Sequence, residues 1–146
     1  MKLHQLSLFV ENRTGQVQMP CQVLADAGIN IITLSLADTE QFGILRMIVS
    51  DWRKAKEALE AAGHVVNVTE VLALDVENRP GGLAEVLKTM EEADLNVEYM
   101  YAFPLGEDRR AMLVFRFEDI DSAIRTLPQK GVTVVSDLLP QENVEA

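Results

Sequence analysis

The chain has 146 residues, 48% hydrophobic and 25% charged, which suits an ordinary globular protein of one domain or two small ones. Its formal net charge of −10 argues against nucleic acid or an anionic membrane surface as partner, since both attract Lys and Arg. A single cysteine (Cys21) rules out an internal disulfide, the N-terminus has no signal-peptide pattern, and no apolar run approaches the ~18 residues of a membrane span, so a cytoplasmic protein is expected.

Leu6, Leu8 and Val10 alternate with polar residues, the pattern of a half-buried strand. After the turn Val10-Glu11-Asn12-Arg13-Thr14-Gly15, Val17, Pro20, Cys21 and Leu24 mark one helix face. In a helix that began at Thr14, Pro20 would lose the bond to the Gln16 carbonyl, so the helix is expected to start late or kink near Gln16. Cys21 reads as a core residue; no histidine lies near it in sequence to activate it. Gly28 fits a left-handed C-cap. The next strand runs from Ile31 to about Asp38, and both of its faces carry apolar side chains. Either a bulge shifts the register or both faces are covered, and a covered outer face would imply oligomerisation. A hairpin with its tip at Thr39–Gly43 leads to a strand with Leu45, Met47 and Val49. Asp51 is placed to cap a helix whose face is Ala55, Ala58, Leu59 and Ala62; Gly63 ends it, and a strand at Val65–Val68 follows.

From Leu72 the pattern repeats. Leu72, Leu74 and Val76 repeat the first strand at an offset of 66 residues, and Val76-Glu77-Asn78-Arg79-Pro80-Gly81 repeats the turn. Leu83, Val86, Leu87 and Met90 form the helix face, and Asp94-Leu95-Asn96-Val97 matches Gly28-Ile29-Asn30-Ile31. The next strand runs from Val97 to about Pro104, with Tyr99, Tyr101 and Phe103 on one face. These aromatics suit core, an interface or a ligand wall. After a longer hairpin with its tip at Leu105–Arg110, the offset becomes 68: Leu113, Phe115 and Phe117, the cap Asp119, the face Ile120, Ala123, Ile124 and Leu127, and Gly131. A strand at Val132–Val135 and a polar tail close the chain. The reading is a repeat at 1–69, a repeat at 70–140 and a frayed tail at 141–146. The fold class is α+β: two βαββαβ repeats, antiparallel, with the helices on one face of the sheet.

The repeated turn carries the chemistry. Pro80 fixes φ, Gly81 and Gly82 leave the backbone bare, and the helix that follows opens with unpaired N–H groups. Those groups, at the positive end of a helix dipole, suit a small anion such as a carboxylate. Alone, the turn reads as a tight strand-to-helix connection; its duplication points to a shared role.

Asn-Arg-Pro-Gly after a first strand, with Gly-Ile-Asn-Ile opening a second, resembles the ACT domain, here as a tandem pair covering nearly the whole chain. The resemblance implies ferredoxin-like repeats, commonly side by side in one eight-stranded sheet, and a regulatory role in amino-acid metabolism with the effector at the seam. The implied site comprises Asn12, Arg13, Gly15, Gln16, Val17, Asn30 and Ile31, with Asn78, Arg79, Gly81, Gly82, Leu83, Asn96 and Val97. Serine-sensing members carry a histidine two residues before the turn asparagine; Val10 and Val76 stand there. The Glu-Ser-Arg-Pro motif of phenylalanine-sensing members is missing, and no catalytic domain is attached.

Asn30 and Asn96 could accept from an ammonium or cap their own loops, and Arg13 and Arg79 could meet a carboxylate or stay solvated. Charge-assisted bonds are worth roughly 1.5–3 kcal/mol each and micromolar binding needs about 8 kcal/mol, so several groups must converge. The second turn is expected to be the better site, because Thr14 and Pro20 degrade the first. The expected partners are an amino acid or related effector, a second copy in a homodimer, and a metabolic enzyme. The alternative function is a regulatory subunit resembling the small subunit of acetolactate synthase. Catalysis is the weakest reading: His4 and His64 lie at strand starts, and no metal spacing or nucleophile set occurs, so no catalytic residue, metal or cofactor is expected.

Overall fold

A computed structural model of the chain describes residues 2–103 and 110–135. Residues 105–109 of the second hairpin tip and the tail 141–146 lie outside the described residues. The elements run β1 (Leu3–Glu11), α1 (Gln18–Asp26), β2 (Ile31–Thr39), β3 (Phe42–Val49), α2 (Trp52–Ala61), β4 (Asn67–Glu77), α3 (Gly82–Glu92), β5 (Val97–Ala102), β6 (Arg110–Phe117), α4 (Ile120–Thr126) and β7 (Thr133–Val135). This is the ferredoxin-like βαββαβ order, twice. One compact unit holds His4–Thr69, and the other is built on residues 70–135 together with Lys2 and Leu3.

In the first unit the strands order as β2-β3-β1, with both pairings antiparallel. Leu6, Leu8 and Val10 of β1 and Leu45, Met47 and Val49 of β3 share one face, where they meet Leu24, Ala55 and Leu59 from the two helices. In the second unit the order is β5-β6-β4-β7, again antiparallel. Leu72, Leu74, Phe115 and Phe117 meet Met90, Ala123 and Leu127. Fully burying a side chain of this size contributes about 1.5–3 kcal/mol, so each small core rests on a few such residues.

Two expected strands, Val65–Val68 and Leu72–Val76, turn out to be one. β4 runs unbroken through Thr69 and Glu70, so the described residues hold seven strands where eight were expected. Val65 precedes β4 and is 80% exposed. The polar pair Thr69-Glu70 reads as a joint, yet nothing in it stops an extended backbone, as Pro or Gly would.

The doubled apolar pattern of Ile31–Leu36 has its cause in a bulge between Ile31 and Thr33, and a matching irregularity lies between Val97 and Tyr99. The extra residue turns Leu34 and Leu36 to the helix side, opposite Met47 and Leu45, and Thr33 to the other. On that face of the first unit Thr33 and Ile48 are buried, while Phe9 and Phe42 stay exposed.

α1 begins at Gln18, two residues after the position that aligns with Gly82, the start of α3. Pro20 thus falls in the first helical turn, where its missing N–H has no bond to lose. Gly82 supplies a second reason. A β-carbon there would stand 2.0 Å from the Glu77 carbonyl oxygen, so only glycine lets α3 start so close to β4. Gln16, at the aligned position, carries that carbon. Asp51 and Asp119 cap α2 and α4 by accepting from the N–H groups of Lys54 and Ser122, each at 3.1 Å.

Candidate functional site

Both turns take the same backbone path. Gly15 and Gly81 each adopt φ +87°, a left-handed conformation. The Arg13 and Arg79 N–H groups fold back onto the Glu11 and Glu77 carbonyls, at 2.8 and 3.0 Å. Gln16 donates to the Arg13 carbonyl at 3.3 Å, and Gly82 to that of Arg79 at 2.9 Å. Among the described residues, the N–H groups of Thr14 and Gly15, and those of Leu83 and Ala84, have no intramolecular acceptor. Leu83 packs its side chain against its core, and Val17 packs at the edge of its own while also lining a hollow beside the turn.

The turn arginines are held by their own neighbours. Arg13 pairs with Glu11. Arg79 pairs with Glu77, donates to Glu85 at 2.8 Å and touches the Pro80 carbonyl at 3.2 Å. The hydrogen bond to Glu77, then that to Glu85, raises its pKa above the ordinary guanidinium value. Met19 aligns with Glu85, so Arg13 has no equivalent of this second acid. Asn12 ties its turn to the first hairpin: its N–H donates to the Gln41 carbonyl and its Nδ2 to that of Glu40, both at 3.0 Å. Asn78 is exposed.

Asn30 and Asn96 make local contacts of one kind. The Asn30 carbonyl accepts from the Ser50 N–H at 2.9 Å, and that of Asn96 from the Glu118 N–H at 3.0 Å. The Asn30 N–H donates to Ser50 Oγ at 3.0 Å, and Asn96 Nδ2 to Glu118 Oε2 at 3.1 Å. Ile31 and Val97 pack at the edges of their cores.

Within a unit the candidate residues form two groups. A turn stands before its helix and an asparagine after it. α3 has 11 residues, so about 16 Å of helix separates its ends. A zwitterion's two charged groups lie only a few ångströms apart, so no single unit brings a turn and an asparagine to one small ligand.

Three hollows lie against these groups. One of about 150 Å³ touches Asn12, Arg13 and Val17, together with Val10, Glu11, Leu36 and Gly43. Another, of about 200 Å³, lies beside Gly82 and carries Asp75, Glu77, Glu85, Thr89 and Lys130. The third, of about 320 Å³, is lined by Asn96, Val97, Asp94, Leu95 and the end of α3. Leu36, Gly43, Asp75 and Lys130 escaped the sequence reading. The one available signal was Gly43, which aligns with Ala111 just past the hairpin. Cys21 is half-buried, and His4 stacks on Trp52 with ring centroids 4.6 Å apart.

The model for a pair of ACT domains matches residues 1–139. The chain belongs to the ACT domain pair family. Protein BT0572 from Bacteroides thetaiotaomicron is 39% identical, with a TM-score of 0.88 over 94% of this chain and 96% of that one. The ligand-free regulatory subunit of aspartate kinase from Thermus thermophilus is similar in fold, with a TM-score of 0.63 at 18% identity over 86% and 91% of the two chains. A structure of aspartokinase alpha and beta subunits gives 0.60 at 14% identity over 88% and 90%. A comparison with curated proteins finds no match. The two turns are thus the strand–helix turns of an ACT domain pair, and no helix among the described residues is long and apolar enough to cross a membrane.

Proposed function

We propose that this ACT domain pair is a non-catalytic regulatory protein that binds an amino acid, with the turn N–H groups on its carboxylate and an asparagine amide oxygen on its ammonium. The duplicated left-handed turn, with unpaired N–H groups in both copies, carries the reading. Because a helix length separates turn from asparagine within each unit, the turn and its carboxylate contact fix where the ligand lies. The ligand acts by favouring one arrangement of the repeats, to the extent of its differential affinity for the two states.

The test is a thermal-shift and calorimetric panel of the common amino acids on the full chain, repeated on Asn30→Ala and Asn96→Ala. One chemical class should raise the melting temperature, and one of the two substitutions should weaken its binding at least tenfold. No stabilisation by any amino acid would overturn the reading.

A second reading, a subunit that acts through contact with an enzyme or a second copy, is favoured by one surface. Phe9 is 65% and Phe42 46% exposed, and the register makes them diagonal neighbours on the sheet face away from the helices. Sedimentation of Phe9→Ser beside the wild type tests it: an oligomer that dissociates supports the contact.

A further inference from the structure

The geometry points to the hollow beside the first turn as a side-chain pocket for an aliphatic amino acid, of valine to methionine size. This deepens the amino-acid-binding reading and rests on it.

The pocket exists because residue 43 has no side chain. Gly43 pairs with Val10 across β1 and β3. A β-carbon at position 43 would stand 2.9 Å from Leu36 Cδ1 and 3.4 Å from Val10 Cγ2, so any larger residue would begin to fill the space. The hollow measures about 150 Å³. An apolar cavity of about that size takes up benzene, so an aliphatic side chain of three or four heavy atoms fits. Its walls are Val10, Val17 and Leu36. Leu36 is 53% exposed, and a ligand chain lying on it would remove that surface from water.

The polar rim is already satisfied. Asn12 Nδ2 donates to the Glu40 carbonyl, and Arg13 pairs with Glu11. A charged ligand side chain would therefore enter an apolar space with no unpaired counter-charge beside it. The hollow also adjoins the turn whose Thr14 and Gly15 N–H groups are open, so a carboxylate held there leaves the side chain beside the cavity.

The second unit lacks this construction. Ala111 stands in the place of Gly43, in register with Val76, and Ala102 in the place of Leu36, in register with Leu113. The methyl of Ala111 occupies the floor, and the leucine wall is gone. The hollow beside the second turn is instead lined by Asp75, Glu77, Glu85, Thr89 and Lys130, polar walls that offer an aliphatic chain little apolar surface. Side-chain selection is thus assigned to the first unit, the reverse of the preference drawn from the sequence.

Calorimetry on the full chain with leucine, valine and methionine, against serine, aspartate and lysine, tests the assignment. The aliphatic set should bind at least tenfold tighter than the polar set. Leu36→Glu should weaken aliphatic binding at least tenfold while leaving the melting temperature of the free protein nearly unchanged, because Leu36 is a surface residue. Gly43→Val should do the same to binding; if that variant fails to fold, Leu36→Glu decides alone. Tight binding of a polar amino acid, or aliphatic binding indifferent to Leu36→Glu, would overturn the pocket and leave the amino-acid-binding reading standing. Failure of every amino acid to bind would overturn both.

Discussion

Backbone conformation at single residues does much of the shaping. Asp94 occupies the left-handed region, φ 57°, at the position where the first repeat has Gly28 with φ 71°. Both residues end a helix the same way: the next N–H reaches back to a carbonyl five residues before it, Ile29 to Leu24 and Leu95 to Met90, each at 2.9 Å. A β-carbon in that conformation costs about 1–2 kcal/mol, and glycine's freedom in the unfolded chain returns part of it. Asp94→Gly should therefore stabilise the protein by about 0.5–1 kcal/mol in urea denaturation. Gly82→Ala should do the opposite. The new methyl meets the Glu77 carbonyl oxygen at 2.0 Å and its carbonyl carbon at 3.0 Å, backbone atoms that cannot swing aside as a flexible side chain would. A loss of about 3 kcal/mol is expected, read from the same denaturation curves. A loss under about 0.5 kcal/mol would show that the α3 start has slack to move.

At the scale of elements, the two first helices of the repeats show what a two-residue delay permits. Pro20 is the third residue of α1, whereas the aligned Val86 is the fifth of α3, past the opening turn whose N–H groups lack helical partners. Val86→Pro should cost about 3 kcal/mol or more. Pro20→Ala should change stability by less than about 1 kcal/mol, since no helical bond is regained. Circular dichroism during denaturation measures both. This difference was legible in the sequence because proline's constraint is local, and so were the aspartate N-caps, the glycine stops and the repeat itself. The length of β4 was not legible: the Thr69-Glu70 pair resembles a joint, and only pairing partners distant in sequence hold it extended. The floor of the first hollow was hidden for the same reason. What Gly43 leaves open depends on Val10 and Leu36 from other strands. Turn chemistry can be read from neighbours in sequence; the shape of a pocket depends on register.

For the whole molecule, acidity sets the conditions. Lys2 lies 3.0 Å from Glu70 and 2.9 Å from Asp121. The hydrogen bond to Lys2 holds the Asp121 carboxyl below the ordinary carboxylate range, and those bonds raise the Lys2 ammonium above its own. The Asp121 contribution is present above the unfolded carboxylate pKa of about 3.9 and is lost as pH falls through its lower folded value. The Lys2 contribution is present below about 10.4 and is lost as pH rises through its higher folded value. These groups are exposed, so the effects are small and screened by salt. Melting temperatures between pH 5 and pH 2 should fall less steeply in Asp121→Asn than in wild type, and high salt should narrow the difference. Equal slopes would assign no role to the pair. The unbroken β4 has a consequence for anyone who would lengthen the protein between its halves. Side chains on a strand point alternately up and down, so one residue inserted after Thr69 would exchange Leu72, Leu74 and Val76 for Val71, Ala73 and Asp75 on the core side. An insertion of two would keep the parity. Spacer length at this junction is thus counted in even numbers, and a flexible tether of arbitrary size is not an innocent substitute.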